Sequence, residues 1–291
     1  MQITDNPGVV LNNGVSMPMV GLGVYQSSPA ETAYAVAEAL RVGYRLIDTA
    51  AVYGNEAEVG QGIRDSGVPR DEIFVTTKLW VNDFGHDEAL RAFDASQEKL
   101  GLDIVDLYLL HWPVPAQFER TLASWKALER LLSEGRVRAI GVSNFEPEHL
   151  DRVVEAGSIV PAVNQVELHP FFAQGAVRAA DARHAVVTQA WSPIGGIQRY
   201  SDGTGADPLL DRTIADIAQA HDRTPAQVML RWELQHGISV IPKSVKPERI
   251  AENFDLFGFA LSQQEMQAID GLDTGRRGGP DPENSDRFLT R

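Results

Sequence analysis

The segment from Ile104 to Val142 reads IVDLYLLHWPVPAQFERTLASWKALERLLSEGRVRAIGV. It opens and closes with short apolar runs, residues 104–111 and 137–142, that are typical of buried β-strands. Between the runs, large apolar residues recur at helical spacing: Leu122, Trp125, Leu128, Leu131 and Leu132. A helix with one such apolar face packs on a flat surface such as a sheet. Because a helical crossover joins parallel strands, the segment predicts a βαβ unit.

The same alternation extends over most of the chain. Further strand-like runs are Met19–Gly23, Tyr44–Asp48, Ile73–Lys78, Ala162–Val166, Ala185–Trp191 and Ile238–Ile241. Two helix starts, Ser28-Pro29-Ala30-Glu31 and Thr224-Pro225-Ala226-Gln227, match a capping box with proline at the first helical position. Strands that alternate with helices in this number predict an α/β fold, a (β/α)8 TIM barrel.

An open doubly wound sheet is the alternative fold for such an alternation. The stretch Gly21-Leu22-Gly23-Val24-Tyr25-Gln26 lacks the third glycine of a dinucleotide-binding fingerprint, and no Walker-type glycine loop occurs. The sequence therefore favours the barrel, and we interpret residues 1–291 as a single domain.

Both ends of the chain carry additions to the barrel. Asn13-Gly14 lies between apolar runs in residues 9–17, which predicts an N-terminal β-hairpin that caps the amino-terminal end of the barrel. The residues from Leu272 onward have no periodicity, so we expect a C-terminal tail or a loop over a site.

Composition restricts the possible functions. The formal net charge is −14 and the pI is near 4.9, which disfavours nucleic acid and anionic membranes as partners. The chain has no cysteine, and its histidines show no metal-ligand spacing, so we expect no metal site. The sequence shows no signal-peptide core and no apolar run of transmembrane length, from which we expect a soluble, cytoplasmic protein.

Polar side chains follow the predicted strands where each one ends. Asp48, Tyr53, Lys78 and His111 all lie at or just past such an end. In a (β/α)8 barrel the carboxyl ends of the strands meet at one face, where active sites form. A carboxylate, a phenol, an ammonium and an imidazole can together deliver a proton to a carbonyl oxygen and take it back.

Each of these residues also has a structural interpretation. Asp48 could cap a turn or helix, and Lys78 could extend along the surface to solvent. His111 could be a hydrogen-bonded core histidine, and Tyr53 could line a pocket wall. Their joint placement favours the catalytic interpretation.

Several motifs resemble the aldo-keto reductase family in order and spacing. The family signature is similar to Gly43-Tyr44-Arg45-Leu46-Ile47-Asp48-Thr49-Ala50 followed by Tyr53-Gly54-Asn55-Glu56. Further matching blocks are residues 73–80, 106–113, 141–145, 164–167, 241–245 and 249–253. Within the family, Trp191 and Arg277-Gly278 most resemble the prokaryotic 2,5-diketo-D-gluconate reductase branch.

The resemblance implies NADPH-dependent reduction of aldehydes and ketones to alcohols, with carbonyl, dicarbonyl or keto-sugar substrates. Tyr53 would be the general acid, and Lys78 would favour the phenolate that remains. A free phenol titrates near pKa ~10, so it needs such a neighbour. Asp48 would hold the ammonium, and His111 would orient the carbonyl and share in proton delivery.

The family binds nicotinamide dinucleotides without a Rossmann domain. The resemblance assigns the nicotinamide end of the cofactor to Ser143, Asn144, Gln165, Trp191 and Ser192. For the other end it implies Lys243, Ser244, Val245 and Arg249, with Glu252 and Asn253 near the adenine. Lys246 adds charge to this cluster, just before the helix that Pro247 opens. Arginine and lysine suit a 2′-phosphate at a helix start, so we expect NADP(H) rather than NAD(H). A solvated run of charges is the alternative.

An apolar wall would surround the reacting carbonyl. The residues expected there are Tyr25, Trp80, His111, Trp112 and Phe288, with core packing as the alternative for the aromatic rings. The expected partner is a small-molecule carbonyl compound, and because most family members act as monomers we expect a monomer. A cofactor-binding regulatory or structural protein on the same barrel is the alternative function, because the fold alone does not exclude it.

Overall fold

Eight parallel strands form one sheet in the computed structural model, which describes residues 6–195 and 207–289. An antiparallel hairpin of β1 (Gly8–Val10) and β2 (Ser16–Pro18) precedes them. The parallel strands are β3 (Leu22–Gly23), β4 (Leu46–Asp48), β5 (Phe74–Leu79), β6 (Val105–Leu110), β7 (Val137–Ser143), β8 (Val163–Glu167), β9 (Val187–Trp191) and β10 (Ser239–Val240). Each pairs with the next in the chain, which confirms the predicted α/β fold.

The sheet closes between its first and last strands. Val20 pairs with Val240, and Gly23 pairs with Lys243, both in parallel orientation. A Cβ atom on Gly23 would lie 2.9 Å from the carbonyl oxygen of Ile241, so a side chain at this position would prevent the close approach. The result is the predicted barrel.

Helices separate the strands and pack around the sheet. They are α1 (Pro29–Val42), α2 (Glu56–Ser66), α3 (His86–Leu100), α4 (Phe118–Ser133), α5 (Pro147–Ala156), α6 (Gly175–Arg183), α7 (Arg212–Ala220), α8 (Pro225–Gln235), α9 (Pro247–Phe254) and α10 (Gln263–Asp270). Helix α4 buries Trp125, Leu128 and Leu131 in the main apolar core, and each such burial stabilises the fold by roughly 1.5–3 kcal/mol. Both predicted capping boxes are present, at Ser28 for α1 and at Thr224 for α8.

Several predicted strand ends were wrong, although every predicted strand exists. The run Met19–Gly23 contributes only Leu22–Gly23 to a ladder, because Val20 makes an isolated bridge. Tyr44 precedes β4 because its backbone N–H closes the end of α1 on the oxygen of Ala39. Ala185 lies outside β9 because its backbone is left-handed, with φ 54°.

The predicted N-terminal hairpin covers the amino-terminal end of the barrel. Leu11 and Met17 are buried with inward-facing strand residues, among them Leu46, Phe74 and Leu107. Asn12 and Asn13 donate to backbone oxygens of Pro161 and Arg138, at the starts of neighbouring strands. Because this end is sealed by apolar packing, the open face of the barrel lies at the carboxyl ends of the strands.

Candidate active site

The predicted catalytic residues converge at the carboxyl ends of the strands. Asp48 is the last residue of β4, Lys78 is the second-to-last residue of β5, and His111 follows β6 directly. Tyr53 ends a short 3-10 turn, residues 51–53, in the loop after β4. The parallel register brings these chain-distant positions to one rim of the barrel.

Lys78 and Asp48 form a fully buried ion pair. The Nζ atom of Lys78 lies 2.6 Å from Oδ1 of Asp48 and 2.8 Å from the backbone oxygen of Thr49. Burial raises the pKa of the Asp48 carboxyl and lowers that of the Lys78 ammonium, and the attraction between the two opposes both shifts. Because each ion has further hydrogen-bond partners, the pair can keep its charges inside the barrel.

The Tyr53 hydroxyl lies beside this ammonium. Nζ of Lys78 is 3.5 Å from the phenolic oxygen and 5.1 Å from the centre of the ring. The loop that carries Tyr53 is held by buried Asn55, which accepts from the Thr49 hydroxyl at 2.7 Å and donates to the oxygen of Val24 at 3.0 Å. The phenol is therefore fixed next to a cation.

His111 packs against the same phenol. The two ring centres are 5.7 Å apart, in an edge-on arrangement. Burial and the charge of Lys78 hold the pKa of His111 well below its usual range, so the imidazole is neutral at pH 7. Its Nδ1 atom is buried and makes no hydrogen bond within the described residues. Since a buried N–H without a partner is costlier than a bare acceptor, the proton belongs on Nε2.

Four of the five residues assigned to the nicotinamide end, Ser143, Asn144, Gln165 and Trp191, form one hydrogen-bonded group. Ser143 donates to the backbone oxygen of Gln165 at 2.7 Å. Asn144 donates to the oxygen of His111 and accepts from the indole nitrogen of Trp191, at 2.9 and 2.8 Å. The left-handed backbone of Asn144, with φ 63°, suits asparagine. Gln165 donates to Oδ2 of Asp48 at 2.7 Å, which joins this group to the ion pair.

The predicted basic cluster follows β10 at the same rim. Lys243, Lys246 and Arg249 are exposed, while the Ser244 hydroxyl accepts from the backbone of Lys246 at 3.1 Å. Helix α9 begins at Pro247, as predicted. The remaining members of the group differ in environment: Val245 packs against the core, Asn253 is buried, and Glu252 accepts from the Thr224 hydroxyl that also caps α8.

Aromatic side chains border the catalytic group. The Tyr25 ring lies 4.9 Å from that of Tyr53 and is 46% exposed, and the Trp80 ring lies 5.2 Å from His111. Phe288 contacts both Trp80 and Trp112, at 5.6 and 5.1 Å between ring centres. Ser192, which was predicted at the nicotinamide end, directly follows β9 and has a left-handed backbone, with φ 50°. The C-terminal segment therefore reaches the predicted substrate wall.

Two buried residues near the site had no assignment from sequence. The carboxylate of Glu167, at the end of β8, accepts the backbone N–H groups of Gly278 and Gly279 at 2.8 Å each. Gly279 lies so close to Trp191 that a Cβ atom would be 2.5 Å from the indole. Gln189 bonds the side chain of Gln165. A polar residue with inward strand parity is the signal that could have identified both.

Two features are absent from residues 6–195 and 207–289, a helix that could span a membrane and a cluster of metal ligands. None of their helices combines the length and apolarity needed to cross a bilayer. They contain no group of at least three histidine, cysteine, aspartate or glutamate side chains placed to hold a metal ion.

Comparisons with known proteins give a consistent family. A family model described as the aldo/keto reductase family matches residues 19–274. Morphine 6-dehydrogenase of Pseudomonas putida is 56% identical over 285 residues, which cover 97% of this chain and 96% of the relative. The 9,11-endoperoxide prostaglandin H2 reductase of Trypanosoma cruzi is 50% identical and covers 95% of each chain. Bacterial relatives such as the first fit the predicted prokaryotic branch.

Solved structures agree with the fold. A variant of Gox0644 in complex with NADPH superposes with a TM-score of 0.88 at 47% identity, covering 96% of this chain and 98% of that one. An aldo-keto reductase of Bombyx mori in complex with NADP gives a TM-score of 0.88 at 36% identity and covers 96% of each chain.

Proposed function

This chain belongs to the aldo/keto reductase family and is an NADP-dependent oxidoreductase, and we propose that it reduces aldehydes and ketones to alcohols with Tyr53 as general acid. The observation that carries the proposal is the Tyr53 hydroxyl 3.5 Å from a buried ammonium. The substrate is a small carbonyl, dicarbonyl or keto-sugar compound. We also propose that the protein acts as a monomer in the cytoplasm.

The residues at the rim fit a nicotinamide dinucleotide. Asn144 holds the half-buried Trp191 ring in a fixed orientation on which an aromatic ring can stack. Gln165, Ser143 and Asn144 offer amide and hydroxyl groups suited to a carboxamide. Lys243 and Arg249 offer exposed cations beside the start of α9, which suit a 2′-phosphate. When bound, the reduced cofactor supplies the hydride, which no side chain can supply.

Proton transfer falls to Tyr53. Its hydroxyl gives a proton to the carbonyl oxygen, and the adjacent charge of Lys78 stabilises the phenolate that remains. Asp48 keeps the lysine charged in a place where burial favours its neutral form. In the reverse direction the phenolate takes a proton from an alcohol.

His111 orients the substrate. Because the pKa of His111 lies well below its usual range, the imidazole is neutral at pH 7 and keeps only one ring proton. This favours donation of an Nε2–H hydrogen bond to the carbonyl oxygen over a share in proton delivery. An apolar surface surrounds the position of the substrate carbonyl and is formed by Tyr25, Trp80, Trp112 and Phe288. This surface excludes water and so strengthens the hydrogen bonds to the carbonyl.

The direct test is cofactor oxidation, followed by absorbance, with a panel of aldehydes, ketones, dicarbonyls and keto-sugars. The panel includes the ketone of morphine, because a relative is named for that alkaloid. We expect turnover with NADPH and at least about tenfold lower kcat/KM with NADH, a factor equal to ~1.4 kcal/mol. Absence of turnover with every carbonyl, despite tight NADPH binding, would instead favour a regulatory protein.

A further inference from the structure

Gln189 is buried inside the barrel next to the site but belongs to none of the roles above. In the sheet register it lies between Gln165 of β8 and Ser239 of β10. Its Oε1 is 2.8 Å from Nε2 of Gln165, and its own Nε2 is 3.0 Å from the Ser239 hydroxyl. With the bond from Gln165 to Asp48, these contacts form one chain of buried hydrogen bonds.

Asp48 fixes the direction of every bond in this chain. An ionised carboxylate only accepts, so Gln165 must turn its amide nitrogen toward Oδ2 of Asp48. The second hydrogen of that nitrogen is directed to Oε1 of Gln189. Gln189 must then use its own nitrogen toward Ser239. Both donors of Gln165 are committed, and its Oε1 is the atom left for a ligand.

We infer that Gln189 is a positioning residue that fixes the Gln165 amide so that its oxygen accepts from the carboxamide NH2 of nicotinamide. A bond to Asp48 alone would let the amide plane turn about the line from Nε2 to Oδ2. The second bond, to Gln189, fixes that plane and with it the direction of Oε1. The inference rests on the proposed function, because it requires a nicotinamide at this rim.

Gln189 contacts none of the reacting atoms, so its effect is on the relative affinity for cofactors with different substituents on the nicotinamide ring. An oxygen in a fixed direction distinguishes an NH2 donor from a methyl group, because a buried acceptor left without its partner is costly. Replacement of the carboxamide by an acetyl group removes that donor. The 3-acetylpyridine analogue of NADP+ is therefore the probe.

The experiment compares the Kd values of NADP+ and this analogue, measured by quenching of tryptophan fluorescence. The wild type should bind NADP+ about tenfold more tightly than the analogue. Gln189→Met removes the acceptor, and the ratio should fall to about twofold or less. Gln189→Glu keeps an acceptor oxygen toward Gln165 and should retain most of the ratio. Gln189→Ser, polar but too short to reach Gln165, replaces the methionine variant if that variant does not fold.

Thr188→Val is the matched control. Thr188 lies in the same strand and donates to Oδ2 of Asp181 at 2.7 Å, so this variant also loses one hydrogen bond. It should keep the full ratio. The inference is overturned if the wild type shows no discrimination, if Gln189→Met discriminates as well as the wild type, or if Thr188→Val loses discrimination equally.

Failure of the proposed function gives a different result. If the wild type reduces carbonyls with NADPH but does not discriminate against the analogue, the role of Gln189 alone is wrong. If the wild type binds no dinucleotide, both proposals fail together.

Discussion

Nζ of Lys78 lies 3.5 Å from the phenolic oxygen of Tyr53, inside a barrel that leaves the lysine no exposed surface. In such a place a cation acts on its neighbour with little screening by solvent. The cost of holding that charge is offset by Asp48 and by the backbone oxygen of Thr49. Lys78 therefore has two roles that can be tested apart: its charge promotes proton transfer by Tyr53, and its ion pair with Asp48 affects the stability of the fold.

The first prediction tests these two roles of Lys78. Lys78→Met should reduce kcat by about 10²–10⁴-fold, the usual contribution of general acid catalysis, because the Tyr53 phenolate then lacks its stabilising cation. It should also lower the free energy of unfolding by about 3–5 kcal/mol, because Asp48 is left as an unpaired buried charge. The double variant Lys78→Met with Asp48→Asn should recover most of that stability and none of the activity. Urea unfolding and steady-state kinetics check both parts; activity in the double variant would contradict the role of the ammonium.

The second prediction concerns cofactor choice. Arg249→Ala should raise the KM for NADPH by about tenfold, which corresponds to the loss of one charge-assisted hydrogen bond, and should leave the KM for NADH nearly unchanged. Arg91→Ala in α3, also an exposed arginine, is the control and should alter neither KM. An equal rise for both cofactors on Arg249→Ala would exclude contact with the 2′-phosphate.

The third prediction concerns the C-terminal segment. Glu167→Gln keeps one acceptor for the N–H groups of Gly278 and Gly279 but sets an amide NH2 against the other. The segment should loosen, so trypsin should cleave after Arg276 or Arg277 faster and the substrate KM should rise several-fold. Glu146→Gln, which neutralises the partly exposed partner of Arg277, is the control and should have a smaller effect. Equal trypsin rates for Glu167→Gln and wild type would show that the buried carboxylate does not anchor this segment.

The fourth prediction concerns stability away from the site. Both carboxylate oxygens of Glu233 are buried without a hydrogen-bond partner in the described residues, and burial raises its pKa well above its ordinary value. The folded protein therefore binds a proton that the unfolded chain releases, so Glu233 costs more stability as pH rises above about 4.3, the usual pKa of a glutamate. Glu233→Leu should raise the free energy of unfolding by about 1–3 kcal/mol at pH 8 and by less at pH 5.

An exposed residue provides the comparison for Glu233. Glu248→Leu, in the first turn of α9, should lower the free energy of unfolding by less than about 1 kcal/mol, because it removes one charge at a helix N-terminus, and by a similar amount at pH 5 and pH 8. The interpretation of Glu233 as a strained acid fails if Glu233→Leu destabilises the protein at pH 8.

The sequence predicted the barrel because periodicity and capping are local properties. The stripe Leu122 to Leu132 and the capping box at Ser28 depend on neighbours within a few residues, and both are present in the structure. Strand ends were less predictable, because the length of β3 and β10 depends on how the sheet closes between them. That closure is set by contacts such as Gly23 with Lys243, which are far apart in the chain.

The catalytic group was recognised by its motif, whereas its supports were not. The contact of Lys78 with the backbone of Thr49 leaves no trace in residue type. The alternation of side chains along β8 and β9 indicates that Glu167 and Gln189 face inward, but their partners lie elsewhere in the chain. The hydrogen bonds that join Glu167 to Gly278 and Gly279, and Gln189 to Gln165, are therefore not predictable from a single sequence.

The most direct measurement is the kinetics of Tyr53→Phe with the best carbonyl substrate of the wild type. The variant lacks one oxygen atom and keeps the ring that packs against Tyr25 and His111. We predict that kcat/KM falls by at least about 10²-fold while the Kd for NADPH changes by less than about threefold. Carbonyl reduction by Tyr53→Phe at the wild-type rate would contradict the assignment of the phenol as the proton donor.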